Sequence, residues 1–253
     1  MLLTLDIGNS NIKLALFEKE KQISFARFET KQDNYKSLIM SFIFKAGLRA
    51  DDIKGVMVAS VVPEVYAQIK EGLVSIIDSN KIHEIKGTND YGITLGDENA
   101  EVVGADLIAL CAYAYSKYHR DIIAISFGTC SVLCHVTKDG IFKHCIIAPG
   151  FYKLAEAIFG SAAQLDAFNL EKLDHFAGIN TKEALNIGIY DGYLGMIEHL
   201  LQGMISELEG KPYVVASGGA GKLIVPYLSS IDEYEPDMIT NALNHLYRRL
   251  KND

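Results

Sequence analysis

The chain has 253 residues, 49% of them hydrophobic and 22% charged. That is enough apolar material for two small packed units, and the charge content is that of a globular rather than a disordered chain. A formal net charge of -8 without a basic stripe excludes nucleic acid as the main partner. The short run Arg248-Arg249-Leu250-Lys251 reads as a solvated helix end. No apolar run approaches the ~20 residues of a membrane span, and the opening segment Leu2–Asp6 reads as a strand rather than a signal peptide. The expected setting is therefore the cytoplasm, with Cys111, Cys130, Cys134 and Cys145 as free thiols. Cys130, Cys134 and Cys145 with His135 and His144 do not have the usual spacing of zinc ligands.

In chain order, Leu2–Asp6 is an apolar strand, Gly8-Asn9-Ser10-Asn11 a turn and Ile12–Phe17 a returning strand. A third strand follows at Ile23–Glu29. Tyr35–Ala46 has helical spacing and ends at Gly47. Gly55–Val61 is a buried strand, Pro63 opens a helix over Glu64–Asp78, and Lys81–Lys86 is a strand. The segment around Ala100–Tyr118 reads as a connecting helix shared by two lobes. Near residue 120 the pattern starts again: strand Asp121–Ser126, turn Gly128-Thr129, and strands Ser131–Thr137 and Ile141–Ala148. Helices are expected at Phe151–Phe159, Thr181–Leu208 and Pro236–Lys251, with a strand at Tyr213–Ala216. The chain thus divides into lobes 1–115 and 116–253, each an α/β unit that begins strand, Gly-containing turn, strand. A dinucleotide-binding βαβ unit would instead send its first strand into a helix.

Four motifs carry chemistry. In Asp6-Ile7-Gly8-Asn9-Ser10-Asn11-Ile12-Lys13, a carboxylate ends a strand where a metal ion or phosphate can be met. Gly8 permits close backbone approach, Asn9 and Ser10 offer donors, and Lys13 can reach the same phosphates. The plainer reading is an ordinary hairpin turn with a solvated lysine. In Gly104-Ala105-Asp106, Asp106 is either a carboxylate stabilised at a helix N-terminus or a general base for a hydroxyl nucleophile. Ser126-Phe127-Gly128-Thr129 is the second-lobe counterpart of the first motif, and the two turns are expected to face each other across an interlobe cleft. Ser217-Gly218-Gly219-Ala220-Gly221-Lys222 fails as a P-loop, because position 216 is Ala and Leu223 stands where Ser or Thr is required. A Gly-Gly turn after a strand suits close approach to a flat ring such as adenine.

In this order the motifs resemble the type III pantothenate kinases. Further pieces similar to that family are Ser60-Val61-Val62-Pro63, Tyr91-Gly92, Ala148-Pro149-Gly150, Asn180-Thr181-Lys182-Glu183-Ala184 and Gly188-Ile189. The resemblance implies two actin-like (ribonuclease-H-like) lobes, each a mixed sheet flanked by helices. It implies transfer of phosphate from ATP to the terminal hydroxyl of pantothenate, the first step toward coenzyme A. It also implies a homodimer, for which apolar residues on several sides of the Thr181–Leu208 helix (Ile187, Tyr190, Leu194, Ile197, Leu200, Leu201, Met204) are a second argument.

By the same resemblance Asp106 is the base. Asp6 lies at the Mg-ATP phosphates, with Gly8, Asn9, Ser10, Lys13, Gly128, Thr129, Gly218 and Gly219 around the nucleotide. Tyr91, Gly104, Ala105 and Thr181 attend pantothenate. Phosphoryl transfer needs mainly positioning and charge neutralisation, which such parts supply. This sequence departs from the family at Leu107, usually Arg, at Ser126, usually Asp, and at Ala100, often Pro. The Arg would have been a fork-like partner for an anionic acceptor. The Asp would have helped to hold potassium or ammonium, so that monovalent cation site is expected to be weak or lost. Three other functions remain open: a nucleotide-binding homologue without turnover, a kinase for another small hydroxylated acceptor, and an actin-like ATPase.

Overall fold

The computed structural model describes residues 1–96, 102–161 and 170–251. Ala100 lies outside the described residues, as does the start of the helix expected from it. By contacts the chain separates into two compact units, one of residues 1–119, 136–143 and 237–253, the other of residues 120–135 and 144–236.

The first unit is built on a five-stranded mixed sheet in the order β3-β2-β1-β4-β5. Its strands are β1 (Leu2–Ile7), β2 (Asn11–Glu18), β3 (Lys21–Glu29), β4 (Gly55–Ser60) and β5 (Ile82–Glu84). β1 pairs antiparallel with β2 and parallel with β4. As the central strand it is buried along its whole length, which is why it reads as an unbroken apolar run. Helix α1 (Tyr35–Lys45) starts where the Asn34 side chain accepts the Ser37 N–H at 2.9 Å, and it ends at Gly47 with φ +75°. It turns Tyr35, Ile39, Phe42 and Ile43 inward at helical spacing. With Ile69 and Leu73 of α2 (Pro63–Val74) they pack on Leu3, Leu5 and Leu14 of the sheet.

On this unit also lie α3 (Ala105–Tyr118) and, from the far end of the sequence, α7 (Met238–Lys251). The expected split at residue 115 assigns α7 to the second lobe, but its apolar face (Ile239, Ala242, Leu243, Leu246) is buried against α3 and β1. Asn244 fixes the return by donating to the Lys19 carbonyl at 3.0 Å. The sequence predicted a helix over Pro236–Lys251, but nothing local in it names the partner that helix meets.

The second unit repeats the same strand order, β8-β7-β6-β9-β10. Here β6 is Ile122–Phe127, β7 Cys130–Val136, β8 Phe142–Pro149, β9 Tyr213–Ser217 and β10 Glu233–Tyr234. β6 pairs parallel with β9, and β9 with β10. Its core joins Ile123, Ile125 and Leu133 of the sheet to Phe151 and Ala155 of α4 (Phe151–Ser161) and to α5 (Thr181–Ser206). α5 is capped by Asn180, whose side chain accepts the Glu183 N–H at 3.0 Å. Tyr190, Leu194, Ile197, Leu201 and Met204 of α5, which the sequence offered as surplus apolar surface, are all buried in this core. A short helix, α6 (Gly221–Ile224), follows β9. Among the described residues no helix is long and apolar enough to cross a membrane.

Candidate active site

The antiparallel register of β1 and β2 places Asp6 directly opposite Lys13. Side chains of opposed residues share one face of a sheet, and Lys13 Nζ lies 3.1 Å from Asp6 Oδ2. Both side chains are largely buried, so the pair is poorly screened by water. Beyond it the chain turns: Gly8 N–H donates to Asn11 O at 3.0 Å, leaving Asn9 and Ser10 exposed at the tip. Thr30, just past β3, fixes this turn. Its hydroxyl donates to Gly8 O at 2.6 Å and its N–H to Ser10 O at 3.1 Å. Sequence reasoning missed Thr30, because its partners lie about twenty residues back and only the β3 register brings them together.

Asp106 comes to the same place from the first turn of α3. The N-cap, Gly104, has no side chain to accept the helix's leading N–H groups, and Asp106 Oδ1 takes the Leu107 N–H at 2.9 Å. Burial first, and the negative charge of Asp6 second, push the Asp106 pKa up to about 6. The Leu107 N–H, its own N–H and the Lys13 ammonium pull the other way. Asp106 is thus a helix-terminal carboxylate whose pKa is shifted toward neutrality. A β-carbon added at Gly104 would lie 2.6 Å from Asp106 Oδ1 and 3.3 Å from Val61 Cγ1, so glycine there makes room for the carboxylate.

Beside this residue is a cavity of about 500 Å³, bounded by Ser60, Lys86, Thr88, Gly104, Ala105 and Ile108 among others. Tyr91, expected at the acceptor, is only 2% exposed. Its phenol oxygen accepts the Lys86 N–H at 3.2 Å, so the ring anchors the segment that forms one cavity wall.

The second unit holds the remaining motif residues. Gly128 N–H closes a tight turn on Cys130 O at 3.0 Å, and Gly128 is exposed. This turn packs on Gly150, where a β-carbon would come within 2.4 Å of Thr129 O and 2.5 Å of Gly128 O. Gly218 has φ +101°, and a β-carbon on it would meet Phe127 O at 2.4 Å. Its N–H donates to Pro236 O at 3.1 Å, and its carbonyl accepts the Tyr234 hydroxyl at 2.8 Å. The turns Gly128-Thr129 and Gly218-Gly219 are thus neighbours within this unit. Ser126, partly exposed, sits opposite Ser217 in the β6–β9 register. Thr181 is exposed as the first residue of α5.

Among the described residues no group of three His, Cys, Asp or Glu could hold a metal ion. In the second unit the Cys134 and Cys145 thiols hydrogen-bond to each other, which together with burial pushes the Cys145 pKa up and away from a metal-binding thiolate.

A carboxylate whose pKa is raised by folding costs stability once it ionises. Wild-type protein should lose stability relative to Asp106→Asn as pH rises from about 4 to about 6, with a roughly constant gap above. The full change corresponds to about 3 kcal/mol. Chemical denaturation of both proteins between pH 4.5 and 7.5 checks this. A gap that does not vary with pH would show that Asp106 titrates as an ordinary carboxylate.

The sequence profile of the type III pantothenate kinases matches residues 2–203. A type III pantothenate kinase of Bacillus cytotoxicus is 32% identical over 98% of this chain and 96% of its own. One of Bifidobacterium longum is 30% identical over 98% and 99%. A crystal structure of a conserved Campylobacter jejuni protein, assigned to the Baf family of transcriptional activators, superposes with a TM-score of 0.64 at 17% identity. It covers 99% of this chain and all of that one, and so speaks for the fold alone. Solved structures of the actin-like sugar-kinase fold likewise match along most of the chain, as the repeated five-stranded sheets require. With the ordered motifs and the Asp6–Lys13–Asp106 cluster in place, the chain belongs to the type III pantothenate kinase family.

Proposed function

We propose that this chain transfers the γ-phosphoryl group of ATP to the terminal hydroxyl of pantothenate, with Asp106 as general base. The observation that carries the reading is the Asp106 carboxylate, raised to about pKa 6 beside the Asp6–Lys13 pair and next to Gly104 and Ala105, which line a cavity of about 500 Å³. At neutral pH it is mostly ionised, yet a stronger base than a solvated carboxylate. It takes the hydroxyl proton as the oxygen bonds to phosphorus. The bond from phosphorus to the bridging oxygen breaks, and ADP leaves with its electrons.

Lys13 and the exposed tip at Gly8, Asn9 and Ser10 contact phosphate oxygens. In the second unit the Thr129 hydroxyl is a donor of the kind that suits phosphate. The Gly218-Gly219 turn, with no side chain in the way, takes the flat face of adenine. Asp6 presents hard oxygen atoms, the chemistry Mg²⁺ prefers, and Mg²⁺ is commonly held by one or two carboxylates plus substrate phosphates. When bound it would neutralise phosphate charge at Asp6. Thr181 contributes to pantothenate binding. Ser126 brings no carboxylate, so potassium or ammonium adds little. The chain works in the cytoplasm as a homodimer. Phe176 and Ile179, 79% and 88% exposed just ahead of α5, are better candidates for that contact than the residues along α5.

Coupled measurement of ADP release should show turnover that depends on pantothenate, is nearly equal in potassium and sodium, and is lost by orders of magnitude in Asp106→Asn with nucleotide binding retained. Wild-type turnover in Asp106→Asn would remove the base from the mechanism. If the wild type has no pantothenate-dependent turnover under any cation, and Leu107→Arg with Ser126→Asp restores it, the chain is an impaired homologue instead. Sedimentation velocity at micromolar concentration should show a dimer, and a monomer would contradict the assembly.

A further inference from the structure

The proposed acceptor carries a carboxylate at the end opposite the reacting hydroxyl. Its hydroxyl must reach Asp106, in a site that already holds the carboxylates of Asp6 and Asp106. Binding therefore needs a positive group that is not already committed. Lys13 is committed, because its ammonium sits 3.1 Å from Asp6. Leu107, next to the base, has no charge to offer.

The cavity beside Asp106 supplies one. Its volume of about 500 Å³ lies within the range of small-molecule sites. One part of its wall is Gly104 and Ala105 at the head of α3, with Asp106 Oδ1 immediately behind Gly104. Another part is the segment leaving β5, where Ile85, Lys86, Gly87 and Thr88 line the space. Among the described lining residues Lys86 alone is charged. Its side chain is exposed, and no described residue is its ion-pair partner.

The backbone that carries Lys86 is well fixed. Ile85 N–H bonds to Val58 O at 2.8 Å, Lys86 N–H to the buried Tyr91 hydroxyl at 3.2 Å, and Lys86 O accepts the Asn89 N–H at 3.1 Å. A flexible ammonium on a rigid wall is a good receptor for a carboxylate whose exact position is set by the rest of the ligand.

We propose that Lys86 is the acceptor-binding residue that pairs with the substrate carboxylate, doing in this chain what an arginine at position 107 would otherwise do. The inference rests on the kinase reading above. It explains how a site with Leu107 holds an anionic acceptor. It also gives the buried Tyr91 a role, that of holding the Lys86 backbone in place rather than touching the ligand.

The test is steady-state kinetics of wild type, Lys86→Met and Lys86→Arg with two acceptors: pantothenate, and its neutral analogue in which a hydroxymethyl group replaces the carboxylate. Lys86→Met should raise the pantothenate KM roughly ten- to a hundredfold, the range expected for one charge-assisted hydrogen bond. The KM for ATP, the kcat and the KM for the neutral analogue should stay within about twofold. Lys86→Arg should restore most of the pantothenate affinity, and calorimetric binding of pantothenate should follow the same order. An unchanged pantothenate KM in Lys86→Met, or an equal rise for both acceptors, overturns the assignment while leaving the kinase reading intact. A wild type that turns over neither acceptor fails earlier, at the kinase reading, and the Lys86 assignment falls with it.

Discussion

A carboxylate taken out of water gains proton affinity, and a like charge beside it adds to the gain; the chemistry proposed for this chain depends on that combination at Asp106. Burial raises the Asp106 pKa most, and the negative charge of nearby Asp6 adds to it. Lys13 limits the effect. Its ammonium, 3.1 Å from Asp6, also pulls the Asp106 pKa down, and the balance leaves Asp106 near 6. The raised pKa makes Asp106 a better proton acceptor at neutral pH, at a cost to the stability of the fold.

The fold holds these groups without any of them being adjacent in sequence. β1 is the central strand, so its end is fixed by partners on both sides, and the β2 register delivers Lys13 to Asp6. α3 delivers Asp106, and α7 holds α3 against the sheet from the other end of the chain. Gly104 serves two purposes in that delivery: it leaves the helix start uncapped, and it clears the space that the carboxylate fills. The second unit repeats the strand order and answers the first hairpin with its own Gly-containing turn. There the close approaches at Gly150 and Gly218 bring two turns side by side, and no larger residue could occupy those positions without displacing backbone.

What the sequence revealed was local. Alternation and the Gly-Asn turn marked the β1–β2 hairpin, and once a hairpin is assumed, the pairing of Asp6 with Lys13 follows from the register. Pro63 marked one helix start, whereas the Asn34 and Asn180 caps became visible only in the fold. The duplicated opening marked two units. Non-local facts were not legible. Nothing near Asp106 in sequence shows that it meets Asp6, and nothing near Thr30 shows that it ties down the Gly8 turn. The apolar residues of α5 looked like surplus because periodicity counts faces but does not name what covers them, and the unit's own core covers most of them. Tyr91 was read as a ligand contact from resemblance, whereas its burial and its bond to Lys86 become visible only in the fold. The two-residue strand β10 was too short to carry any periodic signal.

The most direct test is to observe the Asp106 carboxyl group itself. Carbon NMR of protein labelled at aspartate side-chain carboxyls, with the resonance assigned by its absence in Asp106→Asn, gives the titration midpoint without reference to any substrate. Asp106 should titrate near pH 6 in the wild type, and its midpoint should fall when Asp6 is replaced by Asn, because the second cause of the shift is then gone. A wild-type midpoint near pH 4, or one indifferent to Asp6, would contradict the coupling on which the proposed base depends.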